Sequence, residues 1–243
     1  MTKEERWLLE EKYGGDADAE GFKTDSHRLA RGEPVAYVIG WQPFLGLRIH
    51  LDSRPLIPRP ETEWWTSQLM SKISGTHELR FLDLCAGSGA IGCVALAKIP
   101  QARVYFGEID ATHEPTIQKN IELNGLDGAR TEVGIGDLFE PFGTLRFHVI
   151  AANPPYIPSG RKLPASVVQY EPSEALYAGA DGLDLIRRIL IELPERLTPS
   201  GMAWIEIDSS QANAAEELAN GSGLSSEIRT DQYGVPRLLV VSF

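Results

Sequence analysis

Four residues at the end of an apolar run carry groups that could hold a planar amide in place. They are Asn153, Pro154, Pro155 and Tyr156, and they follow the run FHVIAA. Two consecutive prolines end a strand wherever they fall, because neither can donate to a sheet ladder. On a second interpretation they also stiffen a short loop. The Asn153 amide oxygen and the Pro154 carbonyl would then accept hydrogen bonds from the two N–H groups of a small planar group, and the Tyr156 ring would stack on it.

A glycine-rich turn lies upstream, between a predicted strand and a predicted helix. Its residues are Cys85, Ala86, Gly87, Ser88 and Gly89. Glycine lets the backbone approach a ligand closely at a helix amino terminus, where free N–H groups point outward. An acidic residue about 20 residues further on is placed to bind both hydroxyls of a ribose. Glu108 is the preferred candidate for that role, and Asp110 is the alternative.

This turn differs from the dinucleotide fingerprint, which has the pattern G-x-G-x-x-G. It follows Asp83, whose carboxylate would repel a pyrophosphate but could order a turn that faces a cationic amino-acid moiety. That favours S-adenosylmethionine, with its sulfonium and ammonium groups, over a nicotinamide dinucleotide. Asp137 is placed to accept from an adenine amino group, with Leu138 and Phe139 as an apolar wall. A loop aspartate that caps a turn is an equal alternative for Asp137.

The two motifs together indicate transfer of a methyl group to a planar nitrogen. Ligands bind at the carboxyl edge of a parallel sheet, so the loop and the glycine-rich turn should face the same ligand. An amide nitrogen is a poor nucleophile because its lone pair is delocalised into the carbonyl. Its nucleophilicity would increase if both N–H groups donated to acceptors and a ring held the group in place. In-line displacement from the sulfonium then depends on positioning and electrostatics rather than on a strong base.

The elements that must position these residues alternate along the chain. Strands are predicted in LRFLDLCA, ARVYFGEI, TEVGIGD, FHVIAAN, MAWIEID and RLLVVSF. Helical periodicity is found in GAIGCVALAKI, HEPTIQKNIELNG, DLIRRILIELPERL and QANAAEELAN. Strands and helices that take turns in this way are typical of a parallel, doubly wound α/β sheet with helices on both faces. Residues 231–234 are predicted to be a hairpin turn before the last strand.

The first part of the chain has a different pattern. Residues 1–33 are predicted to be a short charged arm, with a helix from Lys3 to Tyr13 and a loose stretch after it. Residues 34–63 carry β-rich runs broken by Gly and Pro and are predicted to form a β-hairpin connector. Residues 64–243 are assigned to the main domain. A helix is predicted in ETEWWTSQLMSKIS, which spans this last boundary.

Composition restricts the partners and the location. The 243 residues carry a formal net charge of -11 and are 42% hydrophobic. Affinity for nucleic acid comes largely from Lys and Arg, so no direct nucleic-acid partner is expected. No apolar stretch approaches the roughly 18 residues that a membrane span needs, and the amino terminus lacks the apolar core of a signal peptide. We therefore expect no membrane association and a cytoplasmic or organelle-matrix location.

Histidine and cysteine are not arranged as metal ligands. The residues concerned are Cys85, Cys93, His27, His50, His77, His113 and His148. They lack metal-ligand spacing, so we expect no metal site, and the cysteines are expected to be reduced and packed. Trp64 and Trp65 are expected to serve packing, with one ring in the core.

Several segments resemble one enzyme family, in the same order. They extend from about Arg28 to Phe243 and comprise RLARGEPVAYVIG, LIPRPETE, FLDLCAGSGAIG, GDLFEP, NPPYIP, YEPSEALYAGADGLDLIRRI and DQYGVPRLLVV. The sequence resembles the HemK family, protein-glutamine N5-methyltransferases that modify the GGQ glutamine of peptide chain release factors. NPPY alone also occurs in adenine amino-group methyltransferases. The segments LIPRPETE and EPSEALYAGADGLD are the ones that discriminate between the two.

The resemblance implies a class I S-adenosylmethionine-dependent methyltransferase fold, Rossmann-like, with a mostly parallel seven-stranded sheet and a short N-terminal extension. It implies that residues 85–89 wrap the methionine end of the cofactor, Glu108 holds the ribose and Leu138 lies by the adenine. Asn153 would contact both cofactor and substrate, and the four residues of NPPY would form the glutamine pocket. Residues 58–60 and 62–63 would line the mouth of the cofactor site.

This sequence departs from the family pattern at two places. Cys85 stands where the turn usually begins with glycine, and a small residue suffices there. The helical substrate-recognition region is shorter than is usual in the family. A release factor is the expected protein partner of a monomeric enzyme. A glutamine in a ribosomal protein, or an adenine amino group in RNA or DNA, is the alternative substrate.

Overall fold

A seven-stranded sheet forms the centre of the molecule. The computed structural model describes residues 1–73 and 78–243. A hairpin of β1 (Trp41–Phe44) and β2 (Leu47–His50) precedes the sheet, whose strands are β3 (Leu79–Leu84), β4 (Ala102–Glu108), β5 (Thr131–Ile135), β6 (Phe147–Ala152), β7 (Leu197–Glu206), β8 (Ser225–Thr230) and β9 (Pro236–Ser242). Their order in the sheet is β5-β4-β3-β6-β7-β9-β8. Strands β3 to β7 are parallel, and β9 pairs antiparallel with β7 and β8. The predicted mostly parallel seven-stranded sheet is confirmed.

Helices cover both faces of this sheet. The helices are α1 (Lys3–Tyr13), α2 (Phe22–Ala30), α3 (Val35–Ile39), α4 (Pro60–Lys72), α5 (Ala90–Lys98), α6 (Glu114–Leu123), α7 (Ala165–Tyr170), α8 (Asp184–Arg196) and α9 (Ala212–Gly221). Side chains from α4, α5 and α6 pack in one apolar cluster, and those from α8 and α9 pack in a second. In β3, Phe81 belongs to the first cluster and Leu82 to the second. This alternation follows from the period of two along a strand.

The register of the central strands brings distant segments to one edge. Leu84, the last residue of β3, lies opposite Gly107 in β4 and Ala152 in β6. The next residues along the three strands are therefore Cys85, Glu108 and Asn153. The chain also reverses its direction across the sheet between β3 and β6, which is where ligands bind in open parallel sheets.

The amino-terminal region is more ordered than the sequence analysis predicted. The predicted helix from Lys3 to Tyr13 is confirmed, and the loose stretch GGDADAEG after it contains no helix or strand, whereas α2, which follows that stretch, was not predicted. Leu8 packs with Val38 and Ile39 in a small third cluster. The carboxylate of Asp25 forms ion pairs with Lys12 at 2.7 Å and Arg28 at 2.8 Å. These contacts hold α1, α2 and α3 together.

One β-rich run of the connector is helical. Residues Val35–Ile39 form α3, between Pro34 and Gly40, whose φ is 98°. Four of its five residues are buried, so packing outweighs the β propensity of the valines and isoleucine. The hairpin that follows, β1 and β2, lies within the predicted connector, and α4 begins at Pro60 before the connector's predicted end.

Three details near the ends of elements also differ from or extend the predictions. Strand β8 and helix α7 were missed, since SSEIRT and ASVVQY are short and largely polar or exposed. The predicted turn at residues 231–234 is confirmed between β8 and β9. The predicted extension of α4 to Ser74 and the assignment of His77 lie outside the described residues. Within residues 1–73 and 78–243, no helix has the length and apolar character needed to cross a membrane.

Candidate active site

The carboxyl ends of the central strands border a cavity of about 730 Å³. Most of the predicted site residues line it, namely Cys85, Ala86, Gly87, Ser88, Glu108, Asp137, Leu138, Asn153 and Pro155. Other predicted residues lie outside the lining, namely Arg59, Pro60, Glu63, Gly89, Phe139, Pro154 and Tyr156. The glycine-rich turn and the NPPY loop thus meet at one cavity.

The turn from β3 into α5 has a backbone that favours glycine. The φ angle is 55° at Gly87 and 76° at Gly89, and Cys85 also lies in the left-handed region at 60°. A Cβ atom at Gly89 would lie 3.1 Å from the Phe106 ring. Glycine at this position therefore allows the turn to pack closely on β4.

Asp83 orders this turn from the side of the core. Its Oδ2 accepts a hydrogen bond of 2.8 Å from the N–H of Gly92, in the first turn of α5. Burial raises the pKa of Asp83 well above its usual range. Burial also raises the pKa of the Cys85 thiol, and the charges of Glu108 and Asp83 add to that effect. Cys85 is thus a neutral packing residue rather than a thiolate nucleophile.

Glu108 and Asp110 differ in how they are held. Glu108 is 7% exposed. Its Oε2 accepts from the Gly87 N–H at 2.7 Å, and its Oε1 accepts from the N–H groups of Ile109 and Asp110 at 2.9 and 3.0 Å. Asp110 caps the short helix that follows by accepting from the Thr112 N–H at 2.8 Å. Both line the cavity, but only Glu108 is fixed on two sides by backbone donors.

Carboxylates dominate the charged lining of the cavity. They belong to Glu108, Asp110, Asp137, Glu174 and Asp184, while Arg188 supplies a guanidinium. Arg188 donates to Asp137 Oδ2 at 2.7 Å, which leaves Asp137 Oδ1 for another donor. A cavity with a negatively charged lining suits a ligand that carries positive charge and disfavours a pyrophosphate.

Asn153 is connected to a buried carboxylate through one hydroxyl group. Its Nδ2 donates to Thr62 Oγ1 at 3.2 Å, and Thr62 in turn donates to Glu206 Oε2 at 2.6 Å. The same Oε2 accepts from Trp65 Nε1 at 2.7 Å, and Glu206 Oε1 accepts from the Tyr156 hydroxyl at 2.9 Å. The last residue of β7 thus holds two residues of the NPPY loop, one directly and one through Thr62.

The protonation of this network follows from its burial. Burial raises the pKa of Glu206, and the hydrogen bonds from Thr62, Trp65 and Tyr156 oppose that increase. Burial and the neighbouring Glu206 carboxylate raise the pKa of Tyr156 well above its usual range. Tyr156 is therefore a neutral phenol. Its predicted stacking role stays a prediction, since its hydroxyl is bound to Glu206 and the residue lies outside the cavity lining.

A second set of contacts holds the backbone of the NPPY loop. Gln211 Nε2 donates to the carbonyls of Tyr156 at 2.8 Å and Asp181 at 2.9 Å. Gly182 passes so close to this point that a Cβ atom would lie 2.2 Å from the Tyr156 carbonyl oxygen. Residues 181 and 182 therefore support the backbone of the loop rather than line the cavity.

The connector reaches the same cavity from the amino-terminal side. Pro58 and Thr62 line it, whereas Arg59 donates to the buried carboxylate of Glu171 at 2.5 Å. Glu171 also accepts from the Ile57 N–H at 3.1 Å. This pair joins the connector to the segment 172–179, six residues of which line the cavity.

Three residues of the site were missed in the sequence analysis. Glu206 lies within the apolar run MAWIEID, where an acidic residue on a buried strand is a usable signal for a buried polar network. His113 was assigned to packing; it is 7% exposed but also lines the cavity. Arg188 lies on a helix that is otherwise periodic, and no sequence feature separates it from a surface arginine. Trp65 is 1% exposed, which confirms the packing prediction for one ring.

Comparison with known proteins gives consistent similarities. The family model described as methyltransferase small domain matches residues 63–170. A release factor glutamine methyltransferase of Deinococcus radiodurans is 32% identical over 94% of this chain and 81% of its own length. One of Geobacter sulfurreducens is 38% identical over 87% of this chain and 74% of its own length. Among solved structures, a methyltransferase from Pyrococcus furiosus is similar with a TM-score of 0.60 at 18% identity, covering 90% of this chain and 98% of its own. This last likeness supports the methyltransferase fold.

Proposed function

Because this chain belongs to the release factor glutamine methyltransferase family, we propose that it methylates the side-chain amide nitrogen of a glutamine in a peptide chain release factor. The methyl donor we propose is S-adenosylmethionine, and the target is the glutamine of the GGQ motif. The chain is accordingly an enzyme of the protein-glutamine N5-methyltransferase type.

The observation that carries this proposal is the placement of Asn153. Its amide lies at the cavity beside the glycine-rich turn, and its Nδ2 is already bound to Thr62. The Oδ1 atom is then the group left to accept a hydrogen bond from a substrate. A free amide oxygen at this position suits an N–H donor such as the side-chain amide of glutamine.

The charge of the cavity lining suits the proposed cofactor. Five carboxylates and one guanidinium line it, which suits the sulfonium and ammonium groups. Residues 85–89 would hold the methionine end, Glu108 the ribose, and Asp137 and Leu138 the adenine. When bound, S-adenosylmethionine supplies an electrophilic methyl group on a sulfonium.

The chain itself acts on the glutamine side. Asn153 Oδ1 and the Pro154 carbonyl are proposed to accept hydrogen bonds from the two N–H groups of the amide, which orients its nitrogen toward the methyl group and raises its electron density. Transfer would form the N–C bond as the methyl–sulfur bond breaks, leave a neutral thioether, and release one amide proton to solvent. Tyr156 and Pro155 are proposed to complete the pocket. Catalysis then comes from positioning and from acceptors fixed in place, without a strong base.

A labelling experiment tests the function. The protein is incubated with radiolabelled S-adenosylmethionine and, separately, with a release factor, the same factor with the GGQ glutamine changed to alanine, ribosomal proteins, and total RNA. We expect label in the unchanged release factor alone. Label in RNA and not in protein would refute the proposed glutamine methylation. Label confined to a ribosomal protein would keep the chemistry and replace the substrate.

Glu108→Gln is expected to weaken S-adenosylmethionine binding by roughly 10-fold to 100-fold, because a charge-assisted contact to the ribose is lost. Asp110→Asn, the matched control, should change the affinity by no more than about threefold, since that side chain is exposed and already caps a helix. Isothermal titration calorimetry on both variants measures the two dissociation constants. A larger loss for Asp110→Asn would assign the ribose to Asp110 instead.

A further inference from the structure

We propose that Thr62 and Glu206 are positioning residues that fix the Asn153 amide with its oxygen, rather than its nitrogen, toward the substrate. The proposal rests on the proposed glutamine methylation for its catalytic consequence. The orientation of the amide itself follows from the direction of three hydrogen bonds, which join Asn153 to Thr62, Thr62 to Glu206, and Trp65 to Glu206.

The direction is set by a group that can only donate. The indole Nε1–H of Trp65 is a donor and never an acceptor, so the atom it meets, Glu206 Oε2, must be an acceptor. The Thr62 hydroxyl also lies 2.6 Å from Oε2 and has a single hydrogen, which it donates there. Thr62 Oγ1 can then only accept, and the Asn153 atom at 3.2 Å from it must be the amide nitrogen.

Protonation of Glu206 would leave this direction unchanged. With two donors already on Oε2, a proton on the carboxyl group would take Oε1, which meets the Tyr156 hydroxyl. A hydroxyl can turn from donor to acceptor, so Tyr156 would accommodate the proton. The bond from Thr62 to Oε2 is kept in both states.

Burial makes this orientation costly to lose. Thr62 is 3% exposed and Glu206 is 1% exposed, so water has little access to replace either partner. An asparagine amide has nearly the same shape after a half turn, and its packing alone therefore distinguishes the two orientations poorly. In the turned state two N–H groups would face the N–H groups of the glutamine amide, and the acceptor on which the proposed chemistry depends would be absent.

The experiment compares three variants of helix α4 in the full chain. Thr62→Val keeps the shape of the side chain and removes the hydroxyl. Thr62→Ser restores the hydroxyl. Thr66→Val is the matched control, because Thr66 lies one turn further along α4, is 0% exposed, and its hydroxyl has no hydrogen-bond partner among the described residues.

We expect Thr62→Val to lower kcat by roughly 10-fold to 100-fold, because the Asn153 amide loses its hydrogen bond to Thr62 and its fixed orientation. The KM for S-adenosylmethionine should change by no more than about twofold, since the hydrogen-bond relay from Asn153 through Thr62 to Glu206 acts on the substrate amide. Thr62→Ser should recover most of the lost kcat, and Thr66→Val should match the wild type. A Thr62→Val enzyme with wild-type kcat, or equal losses in Thr62→Val and Thr66→Val, would overturn the proposal.

A measurement without substrate separates this inference from the proposed function. In ¹⁵N-labelled protein without cofactor, the Asn153 side-chain N–H signals, identified by their loss in Asn153→Ala, should exchange slowly with solvent. Exchange should accelerate in Thr62→Val and not in Thr66→Val. Unaltered exchange in Thr62→Val would refute the relay whatever the enzyme methylates. If the Asn153 side-chain amide exchanges slowly but no release factor is labelled, the proposed function is refuted and the relay is retained.

Discussion

Asn153→Ala should lower kcat by roughly 10²-fold to 10³-fold, the usual effect of removing one fixed group that acts on the reacting atoms. Asn153 supplies an acceptor at the end of β6, and no other side-chain amide of the described residues lines the cavity. Alanine leaves the proposed glutamine nitrogen without one of its two acceptors. It also leaves the Thr62 hydroxyl without a donor, while Trp65 and Tyr156 stay bound to Glu206.

The cofactor side of the site should largely survive this substitution. The glycine-rich turn and Glu108 are held by contacts that do not involve Asn153, so the dissociation constant of S-adenosylmethionine should rise by less than about tenfold. Asn213→Ala, on an exposed position of α9, is the control for an asparagine-to-alanine change. Steady-state kinetics with a release factor and calorimetry with the cofactor measure the two quantities. Turnover of Asn153→Ala within threefold of wild type would remove Asn153 from the mechanism.

Gly182→Ala is expected to reduce the free energy of unfolding by about 3 to 5 kcal/mol, from left-handed backbone strain and overpacking together. Its φ is +76°, and the added Cβ would lie 2.2 Å from the Tyr156 carbonyl oxygen and 2.5 Å from Gln211 Nε2. Neither neighbour can withdraw cheaply, because each is bound to the other. The NPPY loop must therefore shift, and we expect kcat to fall with the stability.

Gly223→Ala separates strain from crowding. Its φ is +77°, almost the same as at Gly182, but no atom lies within 4 Å of the added Cβ. Only the backbone term applies there, so the expected loss is about 1 to 2 kcal/mol, with kcat retained. Urea denaturation, monitored by tryptophan fluorescence, gives the free energy of unfolding of each variant. Equal losses in the two variants would show that the close approach of Gly182 to Tyr156 does not matter.

The parts of the site that the sequence predicted share one physical origin. Parallel strands end at the same edge of a sheet, so a turn after β3, an acid at the end of β4 and a loop after β6 must meet. The register confirms this, since Leu84 lies opposite both Gly107 and Ala152. Periodicity and motif order were sufficient for these residues because each lies directly after an apolar run.

The parts that were missed depend on contacts between distant segments. Glu206 acts on Thr62, Trp65 and Tyr156, which precede it by 144, 141 and 50 residues, and no local pattern reports such a contact. The same reason explains α3. Its sequence VAYVI favours a strand when taken alone, whereas packing against α1 makes it helical.

The separation of 144 positions between Thr62 and Glu206 also relates the site to the order of protein synthesis. A nascent chain that has emerged as far as Arg196 contains the glycine-rich turn, Glu108, the NPPY motif and the other residues that line the cavity. It still lacks β7, so the hydroxyl groups of Thr62 and Tyr156 do not yet have the Glu206 carboxylate to donate to. We therefore expect a cotranslational intermediate that can bind a nucleoside ligand before it can transfer a methyl group, with catalytic competence arriving only when the fifth parallel strand has joined the sheet.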